Sequence, residues 1–212
     1  MTCFDIHTHR LPLHPDQAIV SHAIGSAQPS GSEAYLSIGI HPWYIDVRES
    51  ESLLERLEKS LHNDKVVALG EAGLDRLRGC PLDTQIAVFR REVALAEEYR
   101  LPMVIHCVRA FNELIQIKKE LHPHQPWIIH GYRGKESGAV ELLRHGCHVS
   151  FGAKFQVESV RAIPLDRLFI ETDEAGESIE DICLRIAGIR GISTEELAEA
   201  VNKNVREVFF KR

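Results

Sequence analysis

Hydrophobic residues along the chain form short runs that alternate with longer segments in which apolar positions recur every three or four residues. The short runs predict buried β-strands and the longer segments predict amphipathic helices, because side chains repeat with different periods in the two structures. The predicted strands lie at residues 3–7, 18–22, 35–41, 65–71, 103–106, 127–130, 148–151 and 168–172. Strands that alternate with helices in this way are typical of βα units around a parallel sheet.

Helical periodicity is found between most of these strands and again at the end of the chain. The predicted helices lie at residues 49–62, 83–99, 111–121, 137–145, 179–188 and 193–210. The last helix begins with a capping box, in which Ser193 precedes Glu196 by three residues. Residues 10–35 instead contain one possible strand and a Gly/Ser/Pro-rich loop at 25–32, without an apolar stripe long enough for a helix.

Eight strands with helices between them predict an α/β fold of the (β/α)₈ TIM barrel type. Such barrels typically have about 250 residues and rarely fewer than about 200, whereas this chain has 212. We therefore expect a distorted barrel with one or more peripheral helices missing, first of all between residues 10 and 35. No repeat or linker divides the chain, so residues 1–212 are expected to form a single domain.

Composition and charge exclude several classes of function. A net charge of −6 argues against a broad basic surface for nucleic acid, although bound cations can reverse the charge of a small cleft. No apolar segment approaches the roughly 20 residues that span a membrane, and the first residues lack the pattern of a signal peptide. Five cysteines without a CxxC pair predict reduced thiols and a cytoplasmic protein.

Side chains with metal-binding or catalytic chemistry stand at the ends of most predicted strands. They are His7, His9, His41, Glu71, His106, His130 and Asp173. The carboxyl ends of barrel strands form the active-site face, so these groups are expected to converge in one cleft. Imidazoles and carboxylates without a thiolate suit Zn²⁺, Mn²⁺, Fe²⁺ or Mg²⁺.

These ligands are numerous enough for two metal ions. Glu71 is the natural bridge, since a carboxylate can bind one ion through each oxygen. Asp173 could ligate the first ion and also take a proton from water as general base. A two-metal site lowers the pKa of a bridging water and holds both oxygens of an in-line displacement. The pattern therefore predicts hydrolysis by a metal-activated hydroxide.

Several short motifs occur together and in order along the chain. They are His7-Thr8-His9, Gly39-Ile40-His41-Pro42, Gly70-Glu71-Ala72-Gly73-Leu74-Asp75, Ile105-His106-Cys107, His130-Gly131-Tyr132-Arg133-Gly134, Phe151-Gly152 and Glu171-Thr172-Asp173. In these motifs the sequence resembles the TatD family of metal-dependent hydrolases, which are related to the amidohydrolases and are often described as DNases. The resemblance implies a distorted TIM barrel. It also implies metal ligands at His7, His9, Glu71, His106, His130 and Asp173.

The sequence departs from the family pattern beside the expected substrate. Val108 stands where an acidic residue usually follows the fifth-strand histidine, and Gly131-Tyr132 replaces the usual Cys-Phe. Residues 174–177 replace the family's Ala-Pro-Tyr and the basic loop that follows it. The expected metal ligands are all present, whereas part of the usual substrate-binding wall is replaced.

Two further residues are candidates for substrate binding. His41 either contacts the phosphate or leaving group, or orients a metal ligand from behind. Arg133 lies in a glycine-flanked turn after the sixth strand, where it could contact an anionic substrate. Asp75 is expected to orient neighbouring loops, and Cys107 is expected to be a buried thiol.

The expected function is hydrolysis of ester bonds with two Mg²⁺, Mn²⁺ or Zn²⁺ ions, and with Asp173 and Glu71 as catalytic residues. DNA or a small phosphoester is the expected substrate, without a membrane or an obligate protein partner. The replaced loop after Asp173 motivates an alternative, amidohydrolase-type cleavage of a carboxylic ester, lactone, amide or aminoacyl ester. Two further alternatives are a non-catalytic metal-bearing binding protein and a PHP-type phosphoesterase, which also begins with a histidine pair.

Overall fold

The computed structural model describes residues 2–25 and 34–211, and its eight strands form one parallel sheet in which strand order follows chain order. The strands are β1 (Asp5–Thr8), β2 (Ala18–Ala23), β3 (Tyr35–Gly39), β4 (Val66–Asp75), β5 (Met103–Val108), β6 (Trp127–Ile129), β7 (His148–Phe151) and β8 (Leu168–Ile170). A parallel bridge between Thr8 and Asp173 joins the two edges of the sheet. The result is a nearly closed barrel, which confirms the predicted fold.

Seven α-helices pack outside the described strands. They are α1 (Ser50–Ser60), α2 (Leu82–Tyr99), α3 (Phe111–Leu121), α4 (Glu136–Arg144), α5 (Val157–Ala162), α6 (Ile179–Arg190) and α7 (Thr194–Phe209). The capping box predicted at Ser193 is present at the start of α7. Helix α5 was not predicted, because six residues are too few to display a helical period.

The distortion of the barrel lies where the sequence indicates it. Between β1 and β2 the described chain contains only a 3₁₀ turn, Pro15–Gln17, in place of a helix. The predicted Gly/Ser/Pro-rich loop at 25–32 lies outside the described residues except for its first position. Every residue of β4 is buried, as expected for a parallel strand covered on both faces.

The expectation of five reduced thiols is wrong for one pair. Cys3, just before β1, and Cys183 of α6 form a disulfide across 180 positions of sequence. Sequence spacing carries no information about such a pair, because closure of the barrel brings its two ends together. Cys80, Cys107 and Cys147 are free, and burial raises the pKa of the Cys107 thiol to about 12. No described helix has the length and hydrophobicity that a membrane crossing requires.

A buried histidine at the amino end of β7 makes the fold sensitive to acid. Burial, followed by the charge of Arg167, lowers the pKa of His148 to about 4. The unfolded chain therefore takes up a proton near pH 6.5, whereas the folded chain resists doing so until about pH 4. The contribution of His148 to the free energy of unfolding is therefore fully present above pH 6.5. The free energy of unfolding falls by about 3 kcal/mol as the pH drops from 6.5 to about 4.

We expect His148→Gln to flatten this pH dependence. Urea unfolding between pH 4 and 7 measures it, and the free energy of unfolding should change less with pH in the variant than in the wild type. His124→Gln, at an exposed position on the surface, is the matched control. If the free energy of unfolding changed with pH equally in the wild type and in His148→Gln, His148 would not be the source of the acid sensitivity.

Candidate metal centre

The sequence-predicted metal ligands meet around one buried carboxylate, Glu71 of β4, which is only 4% exposed. The strand register shifts between Gly70 and Ala72, a local bulge beside Glu71. Bulges of this kind re-aim a side chain and are common next to active sites. The predicted strand ended at Glu71, but β4 continues to Asp75. Glu71 therefore lies within its strand, and the histidines of neighbouring strands surround it.

One oxygen of Glu71 faces the ligands from the first and last strands, which we call the His7 cluster (His7, His9, Glu71 and Asp173). Glu71 Oε2 lies 3.5 Å from both His7 Nε2 and His9 Nε2. Asp173 Oδ1 lies 3.9 Å from His7 Nε2 and 3.6 Å from His9 Nε2. Atoms about 2.1 Å from a tetrahedral ion are about 3.4 Å from each other, so these separations resemble those of ligands sharing an ion.

The other oxygen of Glu71 faces a second set of imidazoles, which we call the His130 cluster (Glu71, His106 and His130). Glu71 Oε1 lies 2.7 Å from His106 Nδ1 and 2.8 Å from His130 Nε2. The two clusters share no residue except Glu71. The carboxylate thus stands between two groups of ligands, with one oxygen toward each.

The charges of the two clusters favour a carboxylate at their centre. Burial by itself would raise the pKa of Glu71, but interactions with His130, His106 and His41 lower it well below its ordinary value. Burial would likewise lower the pKa of His130, yet Glu71 and Glu171 raise it well above its ordinary value. Interaction with Glu71 also raises the pKa of His9. A concentration of negative potential that binds protons this strongly is a site for cations.

His41 lies behind Glu71, and its tautomer can be read from its contacts. The backbone N–H of Trp43 donates to His41 Nδ1 at 3.1 Å, so the proton of the neutral ring is on Nε2. His41 Nε2 lies 3.1 Å from Glu71 Oε1, and burial lowers the pKa of His41. His41 therefore donates a hydrogen bond to Glu71. Of the two roles left open by the sequence, this geometry matches orientation of a ligand.

Two carboxylates support the His130 cluster from outside. Glu171 Oε1 lies 3.2 Å from His130 Nδ1, and Asp75 Oδ2 lies 3.2 Å from His106 Nε2. A carboxylate on the far nitrogen fixes the ring orientation of a metal-binding histidine and raises its basicity. Asp75 was expected to orient neighbouring loops, and it accepts a hydrogen bond from the backbone N–H of Leu77, whereas its contact with His106 was not predicted. Glu171 was missed by sequence reasoning, although its place two residues before Asp173 was a signal.

A hydrogen-bonded contact between β1 and the segment after β8 holds the His7 cluster. Asp5 accepts hydrogen bonds from the hydroxyl and the backbone N–H of Thr172, at 2.6 and 3.1 Å. Asp173 N–H donates to the carbonyl of His7 at 2.9 Å. Burial, partly offset by these hydrogen bonds, raises the pKa of Asp5 to about 7.

Arg133 lies at the mouth of the site. Its Nη2 is 3.5 Å from Asp173 Oδ2, and its side chain is 59% exposed. The cleft above both clusters has a volume of about 1030 Å³, and Arg133, Trp43 and Tyr44 contribute to its walls. The same cleft is lined by His9, Glu71, His106, His130 and Asp173.

The donor set fits divalent cations. His7 is fully buried, and neither ring nitrogen has a hydrogen-bond partner among the described residues. An unpartnered buried imidazole is costly unless its nitrogen serves as a ligand. His7, His9 and Asp173 offer one compact group of ligand atoms, and His7, Glu71 and His130 offer another.

The chain resembles known proteins over nearly its whole length. A family model described as TatD related DNase matches residues 8–210. The metal-dependent hydrolase YabD of Bacillus subtilis is 34% identical over 198 residues, which cover 82% of this chain and 77% of that protein. The 3′-5′ ssDNA/RNA exonuclease TatD of Erwinia amylovora is 28% identical over 217 residues, which cover 88% of this chain and 82% of that protein.

A solved structure shares the architecture. The crystal structure of a hydrolase TatD family protein from Entamoeba histolytica superposes with a TM-score of 0.80 at 22% sequence identity. The match covers 99% of this chain and 98% of the other. At this level of identity the likeness concerns the fold.

Proposed function

This chain belongs to the TatD related DNase family of metal-dependent hydrolases, and on that basis we propose that it is a nuclease that cleaves phosphodiester bonds beside Glu71. The observation that carries the proposal is the position of Glu71, with one oxygen toward the His7 cluster and the other toward the His130 cluster. A carboxylate in this position could contribute one oxygen to each ion of a two-metal phosphodiesterase.

Each cluster would hold one divalent ion. His7, His9 and Asp173 would bind the first together with Glu71, and His106 and His130 would bind the second. Bound Mg²⁺, Mn²⁺ or Zn²⁺ at these positions would acidify water and neutralise charge on the phosphate. Glu71 would contribute one oxygen to each site, and the hydrogen bond from His41 would keep its carboxylate in the bridging orientation.

The remaining polar groups would handle the proton and the substrate. Asp173 presents Oδ1 to the histidine pair and Oδ2 to Arg133, so it could accept the proton that water loses during attack. Arg133, exposed at the mouth of the cleft, would contact a non-bridging phosphate oxygen. The substrate would be DNA or a smaller phosphoester.

The proposed location is the cytoplasm. Three free thiols, Cys80, Cys107 and Cys147, support this proposal, whereas the disulfide between Cys3 and Cys183 does not.

Cleavage of short single-stranded DNA by the metal-loaded wild type tests the proposal. Protein stripped with a chelator and reloaded with Mg²⁺, Mn²⁺ or Zn²⁺ should cut the oligonucleotide, and the stripped protein should not. A carboxylic ester, a lactone and an aminoacyl ester form the comparison panel. A protein of verified metal content that hydrolyses a member of this panel but no oligonucleotide would replace the nuclease with the amidohydrolase-type alternative.

The carboxylate behind His130 should affect metal binding without touching the metal. Glu171 is fully buried and lies 3.2 Å from His130 Nδ1, so its charge would make His130 a stronger ligand. We expect Glu171→Gln to weaken binding of the ion at the His130 cluster by about 10-fold or more. Competition with a chromophoric chelator measures the affinity, and Glu158→Gln on the exposed face of α5 is the control. Equal affinities in wild type and Glu171→Gln would show that this carboxylate has no such role.

A further inference from the structure

An exposed aromatic ring stands beside the metal centre. Tyr44 ends a 3₁₀ turn, Pro42–Tyr44, that directly follows His41, and its side chain is 54% exposed in the wall of the cleft. Its ring centroid is 5.6 Å from that of His41. His41 in turn lies 3.1 Å from Glu71. The imidazole of His41 therefore lies between the exposed ring of Tyr44 and the carboxylate of Glu71.

The turn that carries Tyr44 is held rigidly by its neighbour Trp43. The indole N–H of Trp43 donates to Asp75 Oδ2 at 2.6 Å, and the guanidinium of Arg78 lies 3.8 Å from the indole ring centroid. One face of Trp43 is thus occupied, whereas the ring of Tyr44 is open to the cleft.

The loop after β4 packs tightly against this turn. Gln85 of α2 donates to the backbone carbonyls of Asp75, Arg78 and Cys80. Gly79 adopts φ +91°, and a Cβ at this position would collide with the carbonyl oxygen of Pro42. Because the turn is fixed before any ligand arrives, a contact with Tyr44 would cost little conformational entropy.

A second arginine, Arg109, lines the same cleft. Arg109 follows β5 with a left-handed backbone, φ +51°, which is uncommon for a residue with a side chain. Within residues 2–25 and 34–211, no hydrogen bond or ion pair engages its guanidinium, whereas the guanidinium of Arg133 is 3.5 Å from Asp173. Arg109 is therefore free to pair with an anion that enters the cleft.

We propose that Tyr44 and Arg109 form a nucleotide subsite, in which the ring of Tyr44 stacks on one unpaired nucleobase and Arg109 neutralises a phosphate of the same strand. The proposal rests on the proposed nuclease function and adds the residues that hold the strand. Stacking on an aromatic ring requires a free base face, which a base inside a duplex does not offer. Stacking also tolerates any base, so the subsite would recognise the presence of a base more than its identity.

Cleavage of a set of short single-stranded oligonucleotides, each with one abasic position, tests the subsite. In the metal-loaded wild type, one abasic position should raise KM by about 10-fold, the effect typical of losing one stacked base. Tyr44→Ala should raise KM for the complete oligonucleotide by a similar factor. For the oligonucleotide with that abasic position, the KM of Tyr44→Ala should equal that of the wild type. Tyr44→Phe keeps the ring and should retain most of the affinity, whereas kcat should change little in either variant.

Two further variants complete the design. Arg109→Gln should reduce the slope of log KM against log salt by about 0.7, the contribution of one phosphate of a single strand. Leu184→Ala removes an apolar side chain from α6 that is slightly more exposed than Tyr44 and lies outside the cleft, and it should behave as the wild type does. Circular dichroism on each variant checks that the fold is kept.

The outcomes separate this inference from the function on which it rests. A wild type that cleaves oligonucleotides while Tyr44→Ala has the same KM, or loses affinity equally for complete and abasic strands, overturns the subsite alone. A metal-loaded wild type that cleaves no oligonucleotide overturns the nuclease function and the subsite together.

Discussion

Replacement of Glu71 by glutamine should abolish most hydrolytic activity, with kcat/KM at least about 1,000-fold below that of the wild type, since two-metal centres contribute several kcal/mol to catalysis. The carboxamide has the size of the carboxylate but no charge, and its nitrogen cannot bind a cation. Both oxygens of Glu71 face imidazoles, at 2.7 to 3.5 Å. A single substitution should therefore weaken both proposed ion sites at once.

Steady-state cleavage of an oligonucleotide at saturating metal measures this effect. Metal content and circular dichroism are determined on the same preparation, so that loss of ions and loss of fold are distinguished from each other. Glu98→Gln, at an exposed position on α2, is the matched control and should retain wild-type activity. A folded Glu71→Gln protein that keeps about a tenth or more of the wild-type kcat/KM would rule out a central catalytic role for Glu71.

The number of metal ions bound per chain should show that the two clusters are separate sites. We expect the wild type to bind two divalent ions per chain, and both His106→Ala and His9→Ala to bind about one tightly. The reason is geometric, because His9 Nε2 lies near Glu71 Oε2 and Asp173 Oδ1, whereas His106 Nδ1 lies near Glu71 Oε1. Each variant should lose at least about 100-fold in kcat/KM, because one ion cannot hold both oxygens of the displacement.

Equilibrium dialysis followed by elemental analysis gives the number of bound ions. His124→Ala changes an exposed histidine that pairs with Glu97, outside the cleft, and it should keep two ions and full activity. A wild type that binds a single ion, or two variants that both lose all metal, would require one shared site in place of two.

The pattern of apolar and polar residues along the chain predicted most of the architecture. Apolar runs located all eight strands, and amphipathic stripes located six of the seven described helices. The short helix α5 was missed because six residues cannot establish a period. The end of β4 was placed at Glu71 and lies at Asp75, because the length of a strand depends on the neighbours with which it pairs.

The candidate site, too, was predicted from the sequence only in part. The sequence indicated His7, His9, Glu71, His106, His130 and Asp173 as candidates, and the structure brings their side chains together in two clusters that share Glu71. It did not indicate that His41 donates to Glu71, since that depends on the Trp43 N–H that occupies the other ring nitrogen. Nor did it indicate that Glu171 stands behind His130.

What the sequence by itself determined is therefore the identity of the elements and the residue types at their carboxyl ends. These follow from local rules, because a strand or helix displays its period within its own residues. Only the tertiary structure decided which oxygen of Glu71 faces which histidines, and that Cys3 pairs with Cys183. Those contacts depend on closure of the barrel, which joins Asp5 to Thr172 across 167 positions and cannot be read from either segment alone.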